Sequence, residues 1–262
     1  MFSLYLECEQ EEKDVLIAEL WARGSSGITE SDIPGGGCSL RAFFERDDQA
    51  AGLAREFSKW SARWEREEPC DWVAVARRRL EPQCVGSRFF LVPEWRDDPT
   101  PSGRFRIDVN PGMAFGTGAH ESTQLCLEAL ERELKPGTTV LDVGTGSGIL
   151  SRAAALLGAG RVIACDIDPV AVELARQPLS FVGTTDAVRG RSMDLVIANI
   201  SSEAIVALAP ELLRVLRPDG VAIAGGFEAP GVPAVEAAFR SAGADVRASA
   251  AKNHWSVLIV SA

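Results

Sequence analysis

Residues 140–150 read VLDVGTGSGIL, an apolar run closed by an acid, three glycines at alternate positions, and then a return to apolar residues. Strand, glycines and helix in that order let main chain pass close to a ligand at the carboxyl edge of an open α/β sheet. The same alternation continues down the chain. Apolar strands are expected in TVLDVG, RVIACDI, MDLVIANI, GVAIAGGF, DVRASAA and HWSVLIVSA, with helices in GILSRAAALLG, PVAVELARQ, EAIVALAPELLRVL and PAVEAAFRSAG. Buried parallel strands joined by helices follow from this pattern. Only a few residues join the last two strands, too few for a parallel crossover, so that pair is expected to be antiparallel.

The chain before Glu68 has a different rhythm. Alternation in FSLYLE is followed by a helical period through Val15, Leu16, Leu20 and Trp21, then by GITESD, a glycine turn, SLRAFF, the amphipathic DQAAGLAREFSKW and ARWERE. Strand, helix, strand, strand, helix, strand is the split βαβ, ferredoxin-like α+β plan. Residues 1–68 are therefore expected to form a small ferredoxin-like domain and residues 109–262 the α/β domain. Between them, residues 69–108 read as a connector with a helix in DWVAVARRRL, a strand in SRFFLVPEW and a turn in RDDPTPSG.

Composition excludes several function classes. The 262 residues carry a net charge of −10, which opposes wrapping of nucleic acid and favours a basic partner. Six scattered cysteines without a C-x-x-C pair, and two histidines, suggest neither a zinc cage nor a disulfide framework, and no metal is expected. MFSLYLECEQEEKD turns acidic too early for a signal peptide, and no apolar run is long enough to span a bilayer, so a cytoplasmic protein is expected.

Spacing refines the ligand. Asp166, in ACDID at the end of the strand after the glycine loop, stands where a carboxylate can accept the ribose hydroxyls of a nucleoside. Asp168, just before Pro169, suits the N-cap of the following helix. The G-x-G-x-G of Gly144, Gly146 and Gly148, preceded by Asp142, favours S-adenosylmethionine over a dinucleotide, because the former has no pyrophosphate and presents an ammonium and a sulfonium. Asp142 either meets that cation or caps loop amides. Asn199, at the carboxyl end of DLVIAN, either donates to the cofactor or accepts from an incoming amine. A second glycine cluster, NPGMAFGTGAHEST at residues 110–123, is small enough to form another wall. Within it, His120 reads as a helix-entry residue or a catalytic one, and Phe115 as core packing or part of that wall. Trp255 and His254 read as packing or solvent-facing.

The AFGTGxH segment, followed by VLDVGTGSGIL, DIDP and IANI, resembles the PrmA family of ribosomal-protein methyltransferases, which modify protein eleven of the large ribosomal subunit. The resemblance spans most of the chain. It implies a seven-stranded Rossmann-like sheet with an antiparallel last strand, S-adenosylmethionine as cofactor, and N-methylation of lysine or α-amino groups on a basic ribosomal protein gripped by the N-terminal domain. It also implies that Thr123, Gly144 with Gly146 in the same loop, Asp166 and Asn199 contact the cofactor, and that the AFGTGAH segment closes over its methionine end. Asn199 is the residue expected to position the amine. A lysine amine has a pKa of about 10.4, so supplying its neutral form near pH 7 costs roughly 4 to 5 kcal/mol, which a dry pocket would reduce. The chain departs from the family pattern: Asn110 replaces aspartate, HEST stands for H-P-T-T, NISS for N-I-L-A, and the segment between DIDP and DLVIANI is shortened where the adenine would be enclosed. Three alternatives therefore stay open: a packing or dimerisation role for the small domain, another protein or small molecule as substrate, and a scaffold that has lost cofactor chemistry.

Overall fold

The computed structural model describes residues 1–33, 37–46, 50–66, 80–110 and 120–262. The helix expected from Asp71, the boundary near Glu68, and residues 111–119 with Phe115 lie outside the described residues. The chain divides into two compact units, Met1–Arg79 and Leu80–Ala262.

The first unit runs β1 (Phe2–Glu9), α1 (Lys13–Ala22), β2 (Gly27–Ile33), β3 (Gly37–Phe44), α2 (Ala50–Glu56) and β4 (Arg63–Arg66). Its sheet has the order β2-β3-β1-β4, with every neighbouring pair antiparallel. Period-two patterning builds its core: Phe2, Leu4, Leu6 and Cys8 of β1 are buried together with Cys38, Leu40, Ala42 and Phe44 of β3. Phe2 and Phe44 stack at 5.0 Å. Only part of the expected face of α1 is buried. Leu16 and Leu20, one turn apart, enter the core, whereas Val15 and Trp21 remain 63% and 52% exposed.

In the second unit a seven-stranded sheet has the order β10-β9-β8-β11-β12-β14-β13. Its strands are β8 (Thr139–Val143), β9 (Arg161–Asp166), β10 (Ser180–Val182), β11 (Met193–Asn199), β12 (Leu216–Glu228), β13 (Asp245–Lys252) and β14 (Trp255–Ser261). Strands β10 through β12 in that order are parallel, and β14 lies antiparallel between β12 and β13. Strand alternation feeds two cores. Leu195 and Ile197 of β11 pack on one face with α3 (Glu121–Glu133) and α4 (Ile149–Leu156), while Val196 and Ala198 pack on the other with α6 (Ser202–Val215) and α7 (Val232–Ser241). The short α5 (Pro169–Ala175) begins at Asp168, whose side chain accepts from the Val170 amide at 2.9 Å.

Residues 80–109 join this second unit. They form a small sheet of β5 (Gln83–Val85), β6 (Phe89–Pro93) and β7 (Phe105–Val109), in which Val85, Phe89, Leu91, Ile107 and Val109 share the core of α3 and α4. Most of the expected connector is thus packed into the α/β unit by its own apolar residues. Glu131 of α3 secures the β5–β6 turn, accepting from the Ser87 amide at 2.9 Å, the Ser87 hydroxyl at 3.0 Å and the Arg88 amide at 2.8 Å. Among the described residues no helix is long and apolar enough to cross a membrane, and no cluster of His, Cys, Asp or Glu has the makings of a metal site.

Candidate functional site

The strand order places β9, β8 and β11 side by side, so the residues at their carboxyl ends share one edge of the sheet. That edge carries Asp166, the glycine loop from Gly144, and Asn199. Open α/β sheets bind ligands at this position because the chain there departs to opposite faces and leaves a crevice.

The glycine loop is held from below by β9. The amides of Gly144 and Thr145 both donate to the carbonyl of Cys165, at 2.9 and 3.1 Å. Asp166 then engages the loop from the side: one carboxylate oxygen accepts from the Gly146 amide at 2.9 Å and the other from the Asp168 amide at 3.0 Å. Each oxygen keeps a lone pair for further donors. Gly144 sits at φ +70°, and a Cβ built there would stand 2.4 Å from Cγ2 of Ile200. Gly226, at φ +91°, closes on the same residue from β12, where a Cβ would fall 2.5 Å from the Ile200 carbonyl oxygen. Ile200 is wedged between two bare backbones, and this fixes the end of β11.

Asn199 precedes that wedge. Its amide nitrogen donates to the Thr123 hydroxyl at 3.3 Å, joining two residues 76 positions apart. Its Oδ1 is buried without a hydrogen-bond partner among the described residues. Thr123 is 1% exposed in the first turn of α3. His120 supplies the N-cap of that helix: its Nδ1 lies 3.3 Å from the Ser122 amide, which donates to it, and 2.8 Å from the Ser122 hydroxyl. The His120 ring meets Trp255 edge-on at 4.3 Å.

Residues 3–262 match the sequence model of the family described as ribosomal protein L11 methyltransferase (PrmA). The chain belongs to the ribosomal protein L11 methyltransferase family. The ribosomal protein L11 methyltransferase of Pelobacter propionicus is 34% identical over 250 residues, covering 84% of this chain and 81% of that protein. That of Pelotomaculum thermopropionicum is 40% identical over 198 residues, covering 72% of this chain and 64% of its own length. A crystal structure of ribosomal protein L11 methylase from Lactobacillus delbrueckii subsp. bulgaricus superposes with a TM-score of 0.64 at 32% identity, over 69% of this chain and 98% of that one. Ribosomal protein L11 methyltransferases are S-adenosylmethionine-dependent protein methyltransferases, and the mostly parallel sheet described above is their α/β methyltransferase fold.

Within this ribosomal protein L11 methyltransferase sheet, the expected site residues fall into two pairs: Gly146 with Asp166, and Thr123 with Asn199. Gly144 lies between them, against Ile200. Of the two roles open to Asp142 in the sequence, burial removes the contact with a cation. The residue is fully buried, and one carboxylate oxygen accepts from the hydroxyls of Thr145 at 2.8 Å and Ser151 at 2.6 Å. Burial pushes its carboxyl up from the ordinary aspartate range, and the two hydroxyls pull the other way. Asp142 therefore ties the glycine loop to the start of α4 from inside the core, beneath the crevice. Thr145 and Ser151 were not singled out in the sequence, where they read as ordinary polar residues of a loop and a helix. Their only advance signal was a pair of hydroxyls following a buried strand acid at positions 3 and 9 residues on.

Proposed function

We propose that this chain transfers methyl groups from S-adenosylmethionine to lysine or α-amino groups of ribosomal protein L11, a basic large-subunit protein. The observation that carries the reading is the convergence of Asp166, the glycine loop and the Thr123–Asn199 pair on one edge of the sheet. These groups suit the cofactor. The spare lone pairs of Asp166 would take the ribose hydroxyls, the main chain at Gly146, held to Asp166, would lie along the cofactor without a side chain in the way, and the Oδ1 of Asn199, without a partner among the described residues, offers an acceptor to an ammonium or an amine. When bound, the cofactor supplies an electrophilic methyl on a sulfonium.

The chain's own residues contribute positioning rather than a covalent nucleophile. Asn199 is anchored through Thr123 on one side and through the Ile200 wedge on the other, so its Oδ1 is held in a fixed place, the arrangement that lowers the entropic cost of in-line displacement. A lysine amine entering this half-buried corner loses hydration, and desolvation favours the neutral nucleophilic form. The order strand, helix, strand, strand, helix, strand and the sheet order β2-β3-β1-β4 support reading the first unit as ferredoxin-like, and we assign it substrate recognition. We place the protein in the cytoplasm, where its substrate is made.

The test is methylation of purified ribosomal protein L11 with labelled cofactor, alongside calorimetric titration of the cofactor. The wild-type chain transfers label. Asp166→Ala weakens cofactor binding at least tenfold, and Asn199→Ala lowers the turnover rate with a smaller effect on cofactor affinity. Transfer that is unchanged in both variants refutes the assignment.

A further inference from the structure

The sequence departs from the family pattern in NISS, and the structure shows where that departure goes. Ser201, Ser202 and the exposed Glu203 line an open groove of about 440 Å³ at the carboxyl ends of β11 and β12, together with the exposed Glu228 and with Trp255. The volume lies within the range of clefts that bind small groups. Among the described residues lining it, two are carboxylates and none is basic. Glu203 is held below the usual glutamate range by its own backbone amide and by the hydroxyls of Ser201 and Ser202, so it is ionised at neutral pH. Trp255 also lines the groove, and its ring meets that of His120 edge-on at 4.3 Å. The groove begins two residues after Asn199, next to the corner at which the acceptor amine is to react.

Two carboxylates beside an indole suit a cation. They are poorly suited to the reacting amine itself, because negative charge stabilises its protonated, non-nucleophilic form. From this contrast we infer that the Glu203–Glu228–Trp255 groove is a specificity subsite that holds a second, permanently protonated lysine or arginine side chain of the protein substrate, adjacent to the residue being methylated. The inference rests on the proposed methyltransferase function but is tested separately from it.

The probe is Nα-acetyl-lysine amide, titrated into the full-length protein while the Trp255 indole resonance, assigned with Trp255→Phe, is followed by NMR. The uncharged Nα-acetyl-norleucine amide serves as control. The lysine probe shifts the resonance saturably and the control does not. Glu203→Gln and Glu228→Gln each weaken the probe about three- to fivefold, the size expected for one solvent-accessible charge pair, and the double variant about tenfold or more. With ribosomal protein L11 as substrate, the same variants raise KM by similar factors, leave kcat and cofactor affinity unchanged, and flatten the dependence of kcat/KM on salt. Equal shifts from lysine and norleucine, or a double variant that binds lysine like the wild type, overturn the subsite. A wild-type protein that binds the lysine probe yet never methylates L11 overturns the substrate assignment and leaves the subsite standing.

Discussion

Replacing Gly144 by alanine tests the wedge that fixes the site. The added Cβ meets two separate penalties. At φ +70° an L-residue crowds its own carbonyl, which costs about 1–2 kcal/mol. The Cβ also stands 2.4 Å from Cγ2 of Ile200, against a comfortable carbon–carbon approach of about 3.5–4.0 Å, so Ile200 must move; overpacking of this kind costs about 1–3 kcal/mol. The sum, about 2–5 kcal/mol, is within reach of the roughly 5–15 kcal/mol by which a domain is stable, so the variant folds but weakly. The two penalties separate in a double-mutant cycle with Ile200→Ala. Removing Cγ2 relieves the steric part and leaves the conformational part, giving a coupling of about 1–3 kcal/mol in favour of the double variant. Urea unfolding followed through hydrogen exchange of the β11 amides reports the larger unit alone, and calorimetric titration with S-adenosylmethionine measures the cofactor affinity, which should fall at least tenfold in Gly144→Ala. Coupling below about 0.5 kcal/mol, within ordinary additivity, would refute the wedge.

Two further outcomes are expected. Because burial raises the Asp142 carboxyl in the folded protein, the native state binds a proton that the unfolded chain releases, so this residue's contribution to stability falls as pH rises above about 4 and continues falling until its folded pKa is passed. The stability difference between the wild type and Asp142→Asn should therefore shift against the wild type from pH 4 to pH 7 in urea titrations, and a difference independent of pH would show that the carboxyl is not perturbed. Glu131→Ala strips the β5–β6 turn of three hydrogen bonds to one partly exposed carboxylate, and should cost about 2 kcal/mol in unfolding of the larger unit with little change in cofactor affinity; a loss under about 0.5 kcal/mol would show the clasp to be incidental.

What the sequence revealed of this fold follows from where periodicity is strong. Strands such as MDLVIAN, buried on both faces, announce themselves as continuous apolar runs, and the glycines of GTGSG mark the turn after β8 without ambiguity. Ser180–Val182 carries no such signal. It is a strand of three residues, half exposed and, among the described residues, paired on one side only, so neither length nor alternation sets it apart from a loop. Residues 83–85 and 105–109 were equally silent, since their apolar members gain a partner only when α3 packs across them. In the site, Asp166 and Asn199 could be placed because both end strands. The pairing of Asn199 with Thr123 could not, since it joins the end of β11 to the start of α3 and depends on how the two close in space. Asp142 shows the opposite failure. An acid beside a glycine loop invites a ligand-binding role, but its place in the strand alternation, on the face shared with Val140, turns it into the core.

The insertion of β14 between β12 and β13 has a consequence for synthesis. Trp255–Ser261 emerges from the ribosome after both of its neighbours, yet it supplies the hydrogen bonds that hold each of them. Until then β13 has no partner in the sheet and one edge of β12 stays open, a state prone to pairing with other chains. The larger sheet thus reaches its full seven strands only after the segment that follows both neighbours of β14 has been made.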